Sequence, residues 1–468
     1  MECCKVLTFE NEAKNSVKAA TRDEVLSHKI EESLNSKISL ISRQIAKKVL
    51  ENQKVINITK IIHEEVLQLG AEIASVALND IAHEVDGVNH QRTKGTRERN
   101  LTTILGPVSY ERKAFYDPKE NSLTFPADEH LGVCQGQLQP DVQSRIVKLG
   151  IEVPFAEATA ICESLMGIKV SEGSIHNAVV KSGSLIQYED VVPTKEEIHK
   201  KLDDLKITNP NDKVHIVVGI DGAMEPMRPQ SSKRDGKRGE CFWKECKGFR
   251  VFAIVGQDTI EQIASWHQIG SDEDLGIHLA RIGKSLEGRK EPLIVVADGA
   301  KWIWNQVNKS FRSHIEILDW FHVVEHLAKF AELQFKDKDK RKQWLDKSKD
   351  RLMSDEVSTI IQGLPRMSYT SQASEEEAAR LADYLLKNEK RLQYGTFKKN
   401  DFTIGSGGME SANKSVSHVR IKRNGSWWKS SHANEVLRLR CAKVNGTLDR
   451  FLDKCWIMER ANLLKNKI

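Results

Sequence analysis

The sequence predicts an α/β core that follows mostly helical regions. In two places an apolar run typical of a buried strand leads into the tripeptide Asp-Gly-Ala, at Asp221 and at Asp298. Between residues 21 and 84, in contrast, apolar residues recur at helical spacing and no proline interrupts them. A chain of 468 residues is long enough for several folding units with a sizeable core.

Changes in this patterning along the chain divide it into regions. We expect an N-terminal helical region and linker at 1–100, a small β element at 101–140, a helical region at 141–210, the first part of the α/β core at 211–330, a helical insertion at 331–400, and the C-terminal part of the core at 401–468. The linker is predicted at 90–100, where the residues are polar and basic. The β element is predicted from alternation and turn signals over 101–125.

The helical region at 141–210 contains a pair of short helices that has two interpretations. One helix is predicted at 154–165, a turn at Met166-Gly167, and a second helix, capped by Ser171 or Ser174, up to Lys181. Such a pair is typical of a helix-turn-helix DNA-binding motif. A plain helical hairpin explains the pattern equally well.

The core region alternates apolar runs with helical segments. Strands are predicted at 214–220, 249–255, 263–269, 293–297 and 315–318. Helices are predicted from a cap at Ser271 to Lys284 and from Lys301 to Phe311. This order predicts a sheet with flanking helices.

The two Asp-Gly-Ala segments are the first candidate site. Asp-Gly alone is a common turn signal. Ligands of α/β proteins, however, gather at the carboxyl ends of strands. If the two strands are neighbours, Asp221 and Asp298 lie side by side, and a divalent cation would relieve their repulsion.

A third acid, Glu410, lies in the glycine-rich segment GSGGMESANKSV, which begins at Gly405. Two aspartates and a glutamate supply the hard oxygen ligands that Mg²⁺ prefers. Basic residues and two tryptophans follow Asp221 or Glu410 in the chain. Cations are suited to hold phosphates, and indole rings are suited to stack on bases. The residues predicted to contact DNA are Lys244, Lys414, Arg420, Lys422, Arg423, Trp427, Trp428 and Lys429.

The segment LDWFHVVEH at 318–326 carries two further candidates and a rival motif. Asp319 and His322 follow a predicted strand and are three residues apart, so both can face the same sheet edge. His322, Glu325 and His326 also spell H-x-x-E-H, a zinc metalloprotease motif. A protease would leave both Asp-Gly-Ala segments unexplained, so this interpretation ranks second.

Composition narrows the class of protein. Charged residues make up 29% of the chain and the net charge is +5, which fits a globular protein and by itself says nothing about nucleic acid. No apolar run is long enough for a membrane span, and the N-terminus has no apolar stretch typical of a secretory signal. Eight scattered cysteines without a C-x-x-C pair fit reduced thiols in a cytoplasm.

Together these segments resemble the DDE transposases of the ISKra group of bacterial insertion sequences, which are related to Mutator-like elements. The resemblance is carried by IVVGIDGAMEP around Asp221, IVVADGAKWIW around Asp298, ILDWFHVVEHL at 317–327 and the segment around Glu410. It spans at least residues 101–446. Some relatives carry a cysteine-rich segment after the β element, which residues 117–133 here lack.

The resemblance implies an RNase H-like catalytic domain with a mixed five-stranded sheet, interrupted by a helical insertion. It implies a catalytic triad of Asp221, Asp298 and Glu410 that holds two Mg²⁺ ions, for which Mn²⁺ can substitute. Asp319 and His322 match a supporting signature of the Mutator-like enzymes.

We therefore expect a transposase that binds the ends of its own element through residues before 200, and then cleaves DNA and joins it to a target. Its partners would be double-stranded DNA and, when two ends are paired, further copies of the chain in a dimer or larger assembly. It would act in the bacterial cytoplasm near the nucleoid. The alternatives are a stand-alone RNase H-like nuclease, a catalytically silent domesticated DNA-binding protein, and the H-x-x-E-H protease.

Overall fold

The structure is a computed structural model, and it describes residues 21–51, 54–89, 92–118, 121–134, 136–228, 242–256, 259–405, 407, 413–423 and 426–465. The chain divides into two compact units. Unit 1 comprises Met1–Gln143, Glu163–Lys169 and Glu459–Ile468, and unit 2 comprises Ser144–Cys162 and Val170–Met458. This division lies close to the predicted border at residue 140, and the finer layout of six regions stays a prediction.

Unit 1 combines two long helices with a small antiparallel sheet. Its elements are α1 (Arg22–Glu51), α2 (Val55–Gly87), β1 (Thr93–Thr103), β2 (Gly106–Asp117), β3 (Ser122–Thr124) and α3 (Pro126–Leu131), and the strands lie in the order β1-β2-β3. Helix α2 packs against β2. The buried side chains of Ala82, Leu101, Tyr110 and Ala127 form the core.

The predicted linker at 90–100 is wrong for the residues from Thr93 onward. These residues form strand β1, which pairs along its length with β2. Most side chains of β1 are exposed and many are charged, so the strand lacks the apolar alternation by which a sequence reveals a half-buried strand. Pairing with β2 makes it a strand.

The sheet of unit 2 is preceded by short helices. They are α4 (Pro140–Gly150), α5 (Phe155–Met166), α6 (Glu172–Leu185), α7 (Tyr188–Val191) and α8 (Lys195–Thr208). The predicted helix pair is confirmed as α5 and α6, and Ser171 caps α6 because its hydroxyl accepts the Ser174 N–H at 3.1 Å. The DNA-binding role of this pair stays a prediction.

A mixed five-stranded sheet is the centre of unit 2. Its strands are β4 (Val214–Met227), β5 (Phe242–Val255), β6 (Thr259–Ile269), β7 (Leu293–Ala297) and β8 (Ile315–Leu318), in the order β6-β5-β4-β7-β8. β4, β5 and β6 are antiparallel neighbours, whereas β7 runs parallel to both β4 and β8. Helices α9 (Asp272–Leu286) and α10 (Lys301–Ser310) pack together, and Ser271 caps α9 as predicted. The α/β fold class with a mixed five-stranded sheet is thus confirmed.

The first strand is longer than predicted. β4 continues past Ile220 to Met227, because β5 lies antiparallel beside it and pairs with its backbone as far as Phe242. Asp221-Gly222-Ala223 is therefore part of a strand and not a turn. Only the second Asp-Gly-Ala segment follows the end of its strand, β7.

Helices fill the chain after β8. They are α11 (Trp320–Gln334), α12 (Lys338–Met353), α13 (Val357–Gly363), α14 (Gln372–Lys387) and α15 (Tyr394–Lys399), with 3₁₀ turns at Leu364–Arg366 and Glu389–Arg391. A π-helical turn at Lys414–His418 precedes α16 (Ser430–Val444) and α17 (Leu448–Lys465). None of the helices in the described ranges combines the length and apolar character needed to cross a membrane.

Candidate active site

Three aspartates lie in one row at an edge of the large sheet. Ile220 of β4 pairs with Ala297 of β7, and Ala297 pairs with Leu318 of β8. The next residue in each chain segment is an aspartate, namely Asp221, Asp298 and Asp319. Because these three strands are parallel neighbours in register, the three aspartates lie side by side: Asp298 and Asp319 follow the ends of β7 and β8, whereas Asp221 lies within β4, which continues to Met227.

The Asp221 carboxylate is held from two sides. One oxygen, Oδ1, accepts the Gly222 N–H at 2.7 Å, and the other, Oδ2, accepts the amide Nδ2 of Asn413 at 2.8 Å. Burial raises the pKa of Asp221 to about 6; the Gly222 N–H opposes this rise and the nearby charge of Asp298 adds to it. Two carboxylates therefore interact at this edge, as the sequence predicted.

Asp298 begins the turn that leads into α10. Its Oδ1 accepts the Ala300 N–H at 2.8 Å, and its carbonyl oxygen accepts the indole Nε1–H of Trp304, also at 2.8 Å. Tyr384 of α14 packs directly over Gly299, since a Cβ at that glycine would lie 2.4 Å from the Tyr384 ring. The insertion helix α14 thus supplies part of the wall around this aspartate.

Asp319 and His322 form a charged pair. The Asp319 side chain is fully buried, caps α11, and contacts Nδ1 of His322 at 2.5 Å. This hydrogen bond raises the pKa of His322 to about 9, and Asp298 and Asp221 contribute to the same rise. At neutral pH His322 is therefore an imidazolium held beside Asp319, and its predicted supporting role stays a prediction.

The prediction for Glu410 falls outside the described residues, as do its neighbours Ser411 and Ala412. Within the described ranges, no three His, Cys, Asp or Glu side chains are grouped closely enough to hold a metal ion. This applies to the aspartate row and also to the H-x-x-E-H motif. The ring of His326 packs against Tyr384, with 4.3 Å between ring centroids, and no third zinc ligand accompanies it in the described part.

The donor chemistry of the aspartate row nonetheless fits a divalent cation. Asp221 and Asp298 present carboxylate oxygens, which are the hard ligands that Mg²⁺ takes. Burial and mutual repulsion both oppose ionisation of Asp221, and a bound cation would offset both effects. The pair could thus contribute two ligands to a site that needs further donors.

Two of the residues predicted to contact DNA are buried instead. Arg420 donates from Nε to the carbonyl of Gly150 at 2.9 Å, and its guanidinium packs against the rings of Phe155 and Trp428. Only 2% of Arg420 and 6% of Trp428 is exposed, so neither can lie on a DNA-binding surface. The predicted contacts that remain exposed are Lys244, Lys414, Lys422, Arg423, Trp427 and Lys429.

Several residues of this region were not predicted. Asn413 is part of the quoted Glu410 segment, so its position in that segment was an available signal. Trp243 is 54% exposed, and the ammonium group of Lys422 lies 5.9 Å from its ring centroid. His267 and Tyr384 come from β6 and α14, and no local pattern marks either as part of a site.

The fold and this edge define a class: a mixed α/β protein with a row of aspartates across three neighbouring parallel strands, at the level where two of those strands end. Residues 50–215 match the model of a family described as an uncharacterised protein family, UPF0236. The chain is similar to UPF0236 proteins of Caldanaerobacter subterraneus subsp. tengcongensis. One is 23% identical over 408 residues, covering 83% of this chain and 78% of the relative; another is 22% identical over 412 residues, covering 84% and 79%.

Proposed function

We propose that the protein is a DDE transposase that cleaves DNA and joins it to a target in the bacterial cytoplasm. The observation that carries this proposal is the row of Asp221, Asp298 and the Asp319–His322 pair at one sheet edge. A row of acids with one fixed imidazolium suits a phosphodiester substrate better than a peptide. The resemblance to the ISKra group supplies the specific class of enzyme.

The sheet supports an RNase H-like interpretation of the core. In chain order the five strands are arranged 3-2-1-4-5 across the sheet, with the first three antiparallel. Asp221 lies on the first strand and Asp298 directly follows the fourth. The resemblance implies this layout of the two aspartates.

The described residues have distinct roles in this proposal. Asp221 and Asp298 would hold the divalent cations together with Glu410, which lies outside the described residues. When bound, Mg²⁺ supplies charge neutralisation and Lewis-acid assistance for phosphodiester displacement. The His322 imidazolium, fixed by Asp319, would bind a non-bridging phosphate oxygen.

The reaction would take place in two displacements at phosphorus. First, a water oxygen bonds to phosphorus and the bond to the 3′ oxygen breaks, which leaves a 3′-hydroxyl and a 5′-phosphate. Second, that 3′-hydroxyl attacks a phosphodiester of the target, and a target 3′ oxygen leaves. No covalent bond to the protein is needed.

The exposed cations and indoles of unit 2 supply a surface for DNA. Trp243 is 54% exposed and Trp427 is 43% exposed, and the Lys422 ammonium lies over the Trp243 ring. Exposed tryptophans cost free energy in water, whereas they can stack on unpaired bases when phosphates bind beside them. Trp243 therefore joins the exposed residues predicted to bind DNA.

The names of the relatives give independent support. The name of one joins eleven locus designations and that of another joins four, all within one strain. A protein carried at many loci of one genome is the expected product of a mobile element that has inserted repeatedly.

The test is cleavage of a labelled duplex that carries the end of the encoding element, in Mg²⁺ or Mn²⁺. Wild type should nick or join the duplex at a defined position, and Asp298→Ala should reduce this to background. Asp383→Ala removes an exposed carboxylate on α14 and is the matched control, expected to retain activity. Equal cleavage by Asp298→Ala would reject the proposed role of the aspartates, and specific DNA binding without any metal-dependent cleavage would reject the transposase and favour a silent DNA-binding protein.

A further inference from the structure

We infer that Asn413 and His267 are positioning residues, forming a buried chain of hydrogen bonds that fixes the Asp221 carboxylate for metal binding. The inference rests on the proposed function in one respect, that Asp221 is a metal ligand. Neither residue would touch the metal or the DNA. Both act through the orientation of Asp221.

The polarity of the chain follows from chemistry. An ionised carboxylate can only accept hydrogen bonds, so the atom of Asn413 that lies 2.8 Å from Asp221 Oδ2 must be the amide nitrogen. The amide oxygen then faces Nε2 of His267 at 3.0 Å, which requires a proton on Nε2. Nδ1 of His267 is left as an acceptor toward the thiol of Cys441, 3.9 Å away.

The surroundings of His267 keep it in this neutral form. Its side chain is fully buried, and burial lowers its pKa to about 4. At neutral pH the ring therefore carries one proton, and the contact with Asn413 requires that proton on Nε2. Each link from Cys441 through His267 and Asn413 thus joins a donor to an acceptor, and the chain ends on the carboxylate of Asp221.

The sheet contains a gap that makes this chain possible. Asp221 of β4 pairs with Gly248 of β5, and Gly248 pairs with His267 of β6, so the three residues form one row across the strands. A Cβ on Gly248 would lie only 2.3 Å from Cδ2 of His267. The glycine therefore leaves the space over which the His267 ring reaches Asn413.

The backbone around Asn413 is also fixed. Asn413 is 4% exposed and directly precedes the π-helical turn, an irregularity common at functional sites. The Ser417 hydroxyl donates to the Asn413 carbonyl at 3.1 Å, and Arg440 Nε donates to the Val416 carbonyl at 2.7 Å. A backbone held this firmly limits where the Asn413 amide can lie, and the amide in turn restricts the carboxylate that it contacts.

The experiment measures Mn²⁺ binding to the full chain by electron paramagnetic resonance, without DNA and without turnover. The variant Asp221→Asn is measured first, because the Mn²⁺ binding that it loses relative to wild type is the binding that depends on Asp221. Asn413→Leu keeps the side-chain size but removes both hydrogen bonds, and we expect Mn²⁺ affinity to fall about 10- to 100-fold, the usual effect of losing a residue that orients a metal ligand. Asn434→Leu is the control, because Asn434 binds the backbone of Ile269 on the same strand as His267.

A pair of His267 variants separates positioning from packing. Glutamine can still donate a hydrogen bond to Asn413, so His267→Gln should retain most of the Mn²⁺ affinity. His267→Phe fills the space without a donor and should lose affinity as Asn413→Leu does. Thermal unfolding of each variant establishes that it is folded; if Asn413→Leu does not fold, the two His267 variants decide.

Each outcome has one meaning. Asn413→Leu or His267→Phe binding Mn²⁺ as tightly as wild type would overturn the positioning role and leave the transposase proposal intact. Equal losses in Asn434→Leu would show a general effect of destabilisation, which also overturns it. A wild type without any Asp221-dependent Mn²⁺ site would reject the metal chemistry itself, and the inference with it.

Discussion

Two glycines control the space around the aspartate row. Gly248 leaves room for the His267 ring, and Gly299 leaves room for Tyr384, whose ring would lie 2.4 Å from an added Cβ. Neither glycine has a positive φ, so close approach and not backbone conformation accounts for them. Single methyl groups at these positions would push side chains of the site out of place.

We predict that Gly248→Ala destabilises unit 2. Because the added methyl group overlaps a fully buried ring, the free energy of unfolding should fall by about 1–3 kcal/mol, the usual cost of overpacking. Urea denaturation followed by circular dichroism measures this. Gly363→Ala is the control, since nothing lies within 4 Å of its added Cβ. An unchanged free energy of unfolding in Gly248→Ala would contradict the described packing.

At the level of elements, strand β7 enters the core beside a buried cluster of charges. Glu291, two residues before β7, is 1% exposed at its side chain and binds Arg289 at 2.5 Å and Lys206 of α8 at 2.9 Å. Burial alone would raise the pKa of Glu291, but the hydrogen bonds from Arg289 and Lys206 outweigh it and lower the pKa to about 2. The cluster joins α8 to the strand that leads to Asp298.

This cluster predicts a pH dependence of stability. The folded pKa of Glu291 lies below its ordinary value of 4.5, so its stabilising effect is complete above pH 4.5 and is lost as pH falls toward 2. Glu291→Gln removes one of the two carboxylates bound to Arg289, while Asp203 remains as the other, and it should cost about 2 kcal/mol at pH 7. The difference in urea midpoint between this variant and wild type should persist from pH 7 to pH 4 and shrink as pH falls toward 2, whereas the exposed control Glu196→Gln should follow wild type throughout.

At the level of the whole molecule, the candidate chemistry belongs to unit 2. The five-stranded sheet, the aspartate row and the exposed cations and indoles all lie within it. Unit 1 has its own core and sheet. Different residues of unit 2 would supply DNA binding and DNA cleavage. Substitution of the exposed cations should therefore weaken binding, whereas substitution of the aspartates should abolish cleavage.

We predict that Lys422→Ala weakens DNA binding without abolishing it. Loss of one phosphate contact should reduce the slope of log K against log salt concentration by about 1. Fluorescence anisotropy with a labelled duplex in EDTA measures binding while cleavage is prevented by removal of the metal. Lys342→Ala on α12 is an exposed control for which the slope should not change. An unchanged slope in Lys422→Ala would remove this lysine from the DNA surface.

Some residues of the candidate site could be predicted from the sequence, and others could not. Asp221 and Asp298 could be predicted because each directly follows an apolar run, and Asp319 and His322 because both follow the next strand within four residues. Arg420 and Trp428 were assigned to the DNA surface from composition, since nothing in a basic stretch distinguishes an exposed arginine from one that binds a buried carbonyl. His267 could not be found, because its role depends on Gly248 and Asn413, which are 19 and 146 residues away in the chain.

The sequence by itself determined the elements whose apolar patterning is local: the five strands of the large sheet, the helices of 21–84 and the capped helices α6 and α9. Only the tertiary structure decided where β4 ends, that residues 93–100 form a strand, and which polar side chains meet at the aspartate row. The physical reason is the range of the interactions. Burial and capping leave a trace within a few residues, whereas strand pairing and side-chain hydrogen bonds join residues whose separation in the chain carries no pattern.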